Sequence, residues 1–155
     1  MINNDVLRRL RYALNITDLK VVELFKLADY RIEKAELESI FAKEGEPGYA
    51  ECGDAIMDRF LAGLVISRRG KKDDARANRP QDPTRLSSND ILKRIRIALE
   101  LKDDEIIGIM SLAGVELSKP ELTALFRKLG HPNFRPCGDQ FLRNFLAGLT
   151  AKYRA

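Results

Sequence analysis

The chain has 155 residues, 45% of them hydrophobic, with two cysteines, one histidine and a formal net charge of +4. That length and apolar content suffice for one ordinary domain or two very small ones, and no apolar run approaches the roughly 20 residues of a membrane span. Two cysteines in a chain whose first residues, MINNDVLRRLRYAL, lack a secretory h-region are expected to be reduced thiols in a cytoplasmic protein without a membrane partner.

The first predicted helix takes Val6, Leu7, Leu10, Ala13 and Leu14 at helical spacing, with Asn4 placed to cap and Asp5 in the first turn. Asp5 with Arg9 is expected as an i,i+4 pair on an exposed face. The second helix starts near Thr17 or Asp18 and runs through Val21, Val22, Leu24, Phe25 and Ala28, a wide apolar face. A third begins after Glu33 and is expected to stop at Gly45, and a fourth follows the loop EPGYAECG with Met57, Phe60, Leu61 and Leu64 on one face. No segment alternates like a strand.

Every element then returns 85 positions later. Residues 4–64 align on 89–149 without a gap, and 25 of the 61 pairs are identical. The second copy repeats the capping asparagine as Asn89, the pair as Asp90 with Arg94, the second helix from Asp103 and the helix stop as Gly130. Its third helix opens on Ser118-Lys119-Pro120-Glu121, a capping box with proline in the first turn. The expected fold is all-α, two tandem four-helix repeats over 1–66 and 89–155 packed with pseudo-twofold symmetry. Residues 67–88, SRRGKKDDARANRPQDPTRLSS, lose apolar periodicity and read as a connector able to reach across a domain. Net charge is −3, +4 and +3 over the three segments, so the basic character lies in the connector and second copy.

The paired motifs NDVLRRLRYAL and NDILKRIRIAL, together with CGDAIMDRFLAGL and CGDQFLRNFLAGL, resemble the YehS-like family of small bacterial proteins, which carries a tandem domain of unknown function. The resemblance implies the two-copy architecture and brings no activity, cofactor or site residue with it.

The candidate positions are those that both copies keep. Cys52 and Cys137, with Asp54 and Asp139, could form a two-sulfur, two-oxygen metal cluster if the copies met about a dyad, but each copy gives only one cysteine where structural zinc sites draw local pairs. Small buried thiols at a helix start, with the aspartates on the positive end of the dipole, are the expected reading. A catalytic thiolate would lack a base: His131 is matched by Glu46 in the other copy and is expected in a solvent-facing loop. The chain is therefore expected to be no enzyme and to take no cofactor or metal.

Arg8, Arg9 and Arg11, matched by Lys93, Arg94 and Arg96, form a basic group that could line a phosphate groove with the RRGKK of residues 68–72, although no aromatic residues interleave for base stacking. Helices two and three loosely resemble a helix-turn-helix with an overlong turn, and the would-be recognition helix of copy one is acidic at Glu33, Glu36, Glu38 and Glu44, whereas copy two offers Lys119, Arg127 and Lys128. Gly63 and Gly148 lie inside the fourth helices, where glycine costs about 1 kcal/mol relative to alanine. They are expected where copy meets copy or chain meets chain. The resulting expectation is a non-enzymatic interaction module for a protein partner, a small ligand between the copies, or itself, with nucleic-acid binding as the alternative.

Overall fold

The computed structural model describes residues 1–73 and 85–154. The first repeat holds α1 (Asn3–Leu14), α2 (Asp18–Leu27), α3 (Lys34–Phe41) and α4 (Asp54–Arg69); the second holds α5 (Ser88–Leu99), α6 (Asp103–Leu112), α7 (Lys119–Leu125) and α8 (Asp139–Tyr153). Residues 71–73 are helical too, and there is no strand among the described residues. The fold is all-α and tandem, as the duplication requires. Helix α4 overruns the expected boundary at residue 66 by three residues, and half of the connector, residues 74–84, lies outside the described residues.

Local chemistry sets several of the helix starts. The Thr17 hydroxyl caps α2 by accepting the Lys20 N–H at 3.2 Å. Ser87 with Asp90, and Ser118 with Glu121, make reciprocal capping boxes, and Pro120 occupies the first turn of α7. Asn4 and Asn89 do not cap: Ile2 and Ser87 hold the cap positions, and both asparagines are buried two residues further in.

Their side chains reach across the repeat instead. Asn4 Nδ2 donates to the carbonyls of Ile40 at 3.0 Å and Ala50 at 2.9 Å, and its Oδ1 accepts the Cys52 N–H at 2.8 Å. Asn89 does the same with Leu125 at 2.9 Å, Arg135 at 3.0 Å and Cys137 at 2.7 Å. Each amide thus ties the end of the third helix to the strap leading into the fourth. This is also why Gly45 and Gly130 are not the helix stops: α3 ends at Phe41 and α7 at Leu125, where the asparagines hold the Ile40 and Leu125 carbonyls. The glycines turn the chain later, at φ of 90° and 93°.

Within each repeat the second helix lies on the fourth, α2 on α4 and α6 on α8; between repeats the first helix lies on the other copy's fourth, α1 on α8 and α5 on α4. One continuous apolar core results, and in it Phe25 packs against Phe60 with ring centroids 5.8 Å apart. The glycines belong to the crossing inside each repeat rather than to a contact between copies or chains. A Cβ on Gly63 would stand 1.8 Å from the Leu24 carbonyl oxygen, and one on Gly148 would stand 2.1 Å from that of Ile109. Only a residue without a side chain lets those helices approach so closely.

Candidate ligand-binding seam

Arg11 and Arg96, shared by the copies, are employed in the fold. Arg11, in the last turn of α1, donates from Nε to the Ile16 carbonyl at 2.9 Å, pairs with Asp18 and lies 4.9 Å above the Phe41 ring. Arg96 repeats this on Leu101 at 3.1 Å, Asp103 at 2.6 Å and the Phe126 ring at 4.6 Å. Each guanidinium fastens the turn between first and second helix, where Asn15 and Glu100 adopt the left-handed conformation at φ 54° and 56°, and presses it onto the third helix.

The expected Asp5–Arg9 pair is replaced by Asp5–Arg8 at 2.6 Å, and Arg8 also donates to the Ala42 carbonyl at 3.2 Å. Arg94 is not on an exposed face: it is 2% exposed and bonds Asp58 of α4 at 2.8 Å, across the α4/α5 seam. Lys93 and Arg9 are exposed. The basic group read from the sequence is therefore dispersed into turn fasteners, a buried interface cation and two surface charges, because a 3.6-residue helix turns successive side chains to different faces.

Cys52 and Cys137 are buried and unpaired, and burial pushes both thiols up to about 12, which keeps them protonated and poorly nucleophilic. Among the described residues no group of three or more His, Cys, Asp or Glu side chains stands ready for a metal. Asp54 and Asp139 open α4 and α8 and take a contact from the start of the opposite repeat: Asp54 accepts the Leu86 N–H at 3.0 Å, and Asp139 pairs with the Met1 amino group, which holds its carboxyl below the usual range. Met1 and Leu86 are themselves 85 positions apart, so the two contacts are one pseudo-symmetric arrangement. His131 lies half-buried in its loop, its Nδ1 accepting the Asn133 N–H at 3.0 Å.

The two pseudo-equivalent seams differ in charge. At the α4/α5 seam Arg94 meets Asp58, and Arg69 pairs with Glu100. At the α1/α8 seam the matching positions are Arg9 with Arg143 and Arg154 with Asn15. Arg9 and Arg143 are exposed, without an ion pair among the described residues. Arg154 lies 4.1 Å over the Tyr12 ring and donates to the Tyr12 carbonyl at 3.0 Å. Beside it a groove of about 470 Å³ is lined by Arg8, Arg11, Arg154, Tyr12, Asn15 and Phe41 among others, with no carboxylate in its wall. Sequence reading missed Tyr12, Asp58, Arg143 and Arg154; the signal available for the first three was that the copies disagree there in charge or ring, with Ile97, Arg143 and Asp58 opposite them, whereas Arg154 matches Arg69 and only the position it faces, Asn15 against Glu100, differs.

This is an all-helical tandem-repeat protein in which two four-helix copies share one core and leave one of their two seams rich in cations. The chain belongs to the family described as a protein of unknown function, DUF1456, whose model matches residues 3–70 and again 88–155. It is similar to the uncharacterized protein YehS of Escherichia coli strain K12, 40% identical over 152 residues that cover 98% of this chain and 96% of that one. No solved structure matches it. No helix among the described residues is long and apolar enough to cross a membrane.

Proposed function

We propose that the protein is a non-enzymatic binding module that presents the α1/α8 seam to its ligand or partner. The observation that carries this reading is the inequality of the seams: one is neutralised by Arg94–Asp58 and Arg69–Glu100, while the other exposes Arg9 and Arg143 and opens the arginine-lined groove. The residues that both copies keep, Asn4, Arg11, Gly63 and their mates, are engaged in turns and helix crossings. The buried, protonated cysteines offer no nucleophile at neutral pH. Recovery of the tagged wild type and of an Arg9→Glu, Arg143→Glu variant from a bacterial lysate, with and without nuclease, tests the reading. The expected result is a co-purifying species that the wild type holds and the variant loses; identical recoveries would overturn it.

The alternative, nucleic-acid binding, is favoured by the same seam and not by a helix-turn-helix. The would-be recognition helix α3 has eight residues, and its Glu36 is engaged by the Tyr30 hydroxyl at 2.6 Å. Loss of the co-purifying species on nuclease treatment is the result that selects this alternative.

A further inference from the structure

We infer that the groove at the end of α1 is a nucleotide site, taking a phosphate between Arg8, Arg11 and Arg154 and a planar base against the Tyr12–Arg154 stack. The inference rests on the binding reading above and assigns its ligand chemistry. A guanidinium has five N–H donors. Intramolecular bonds engage Nη1 and Nη2 of Arg8, Nε and Nη2 of Arg11 and only Nη1 of Arg154, so donors remain on all three. Arg8 is paired with Asp5 and Arg11 with Asp18, so Arg154 is the cation of this cavity without an ion pair among the described residues, and with the spare donors of the other two and no carboxylate in the wall it favours an anion. Tyr12 is 58% exposed although a guanidinium stacks on it at 4.1 Å, which leaves a flat aromatic-cation platform open to solvent. Platforms of that kind hold bases without demanding a sequence.

The other copy supplies an internal control, because there the same site is closed. Glu100 replaces Asn15 and captures Arg69, the counterpart of Arg154, while Ile97 replaces Tyr12. One copy thus spends its C-terminal arginine on an ion pair, and the other keeps it for something outside the chain.

The source of the nucleotide, free or in a strand, is separated by the probes. The wild type is titrated with adenosine 5′-diphosphate, with inorganic phosphate, and with a fluorescently labelled single-stranded 12-nucleotide DNA of mixed sequence at low salt. Saturable binding of the diphosphate assigns a free nucleotide, and binding of the oligonucleotide assigns a strand; either supports the site. Arg154→Ala and Tyr12→Ala are each expected to weaken that binding about tenfold, and Arg69→Ala to leave it unchanged. Asn15→Glu is expected to abolish it by recreating the closed arrangement. Glu100 occupies the equivalent left-handed position, so that variant is expected to keep the wild-type thermal midpoint. Failure of both nucleotide probes, affinity for inorganic phosphate equal to that for the diphosphate, or undiminished binding by Arg154→Ala and Asn15→Glu would each overturn the inference. If both probes fail while Arg9→Glu, Arg143→Glu still loses its co-purifying species, the nucleotide assignment falls and the binding reading stands.

Discussion

The side chain of Asn4 accepts the backbone N–H of Cys52 at 2.8 Å, 48 residues along the chain, while its amide holds two carbonyls of the same repeat. Asn4→Ala would leave three backbone groups without their partner, those of Ile40 and Cys52 in buried bonds and that of Ala50 in a part-buried one. The expected loss is on the order of 3 to 5 kcal/mol in denaturant unfolding, and Asn89→Ala should match it. Cys52→Ala keeps the N–H that Asn4 uses and is expected to cost only about 1 kcal/mol. Equal losses for Asn4→Ala and Cys52→Ala would show that the thiol, not the amide clamp, is what the strap needs.

Gly63→Ala forces either a new methyl into the Leu24 carbonyl or the two helices apart. The expected penalty is roughly 2 to 4 kcal/mol with no change of oligomeric state, and Gly148→Ala should behave alike. Gly108, exposed inside α6 with nothing within 4 Å of an added Cβ, gives the opposite sign. Gly108→Ala should stabilise by about 0.5 to 1 kcal/mol through helix propensity and the unfolded chain. Thermal melts of the three variants check both signs.

Burial raises the folded-state pKa of Cys52 and Cys137 from the ordinary 9.0 to about 12. Between those values the unfolded thiol has lost its proton and the folded one keeps it, so unfolding is favoured progressively as pH rises through that interval. Below about pH 8 the pair contributes no slope. The double variant Cys52→Ala, Cys137→Ala should therefore show a shallower alkaline decline than the wild type in urea midpoints measured from pH 8 to 11. Alkylation at pH 8 should be slow in buffer and complete in denaturant; fast alkylation of the folded protein would contradict the buried, protonated state.

Arg94 is a buried cation whose partner Asp58 belongs to the other repeat. Removing the carboxylate in Asp58→Asn takes away the ion pair that spans the seam, and because that carboxylate is 34% exposed the expected cost is about 1 kcal/mol. The symmetric site already holds two cations, Arg9 and Arg143, so Arg143→Asp is expected to create a bridge there and raise the melting temperature by a few degrees, about what 1 kcal/mol is worth in a domain of this size. A lower melting temperature for Arg143→Asp would show that Arg9 cannot turn inward as Arg94 does.

Helix existence, order and duplication were legible because they are carried by period 3.6 apolar spacing and by local caps such as Ser118 with Glu121. The candidate site was legible only in part. Asn4 has the residue type of a cap and stands where a cap belongs, and only the fold reveals that its amide is used by groups 36 to 48 positions away. Gly63 signalled a close approach correctly, but the partner, Leu24, lies in its own repeat, which a helical wheel cannot choose. Arg9 and Arg94 are the same residue at the same register, yet one is exposed and one buried, because Asp58 stands opposite the second and Arg143 opposite the first. Agreement at Asn4 and Gly63 thus reports folding, whereas Arg9 shows that a residue both copies keep can serve the core in one copy and the surface in the other.

Because each first helix is covered by the fourth helix of the other copy, half of this chain would be an open body with two uncovered faces, complete only on meeting another half. Joined in one chain, the halves meet at a fixed one-to-one ratio whatever the protein concentration. Two identical halves must place the same residue on both sides of their axis, so a homodimer cannot set Asp58 at one seam and Arg143 at the other. Tandem fusion releases that constraint, leaving one seam to hold the body together and the other free to differ.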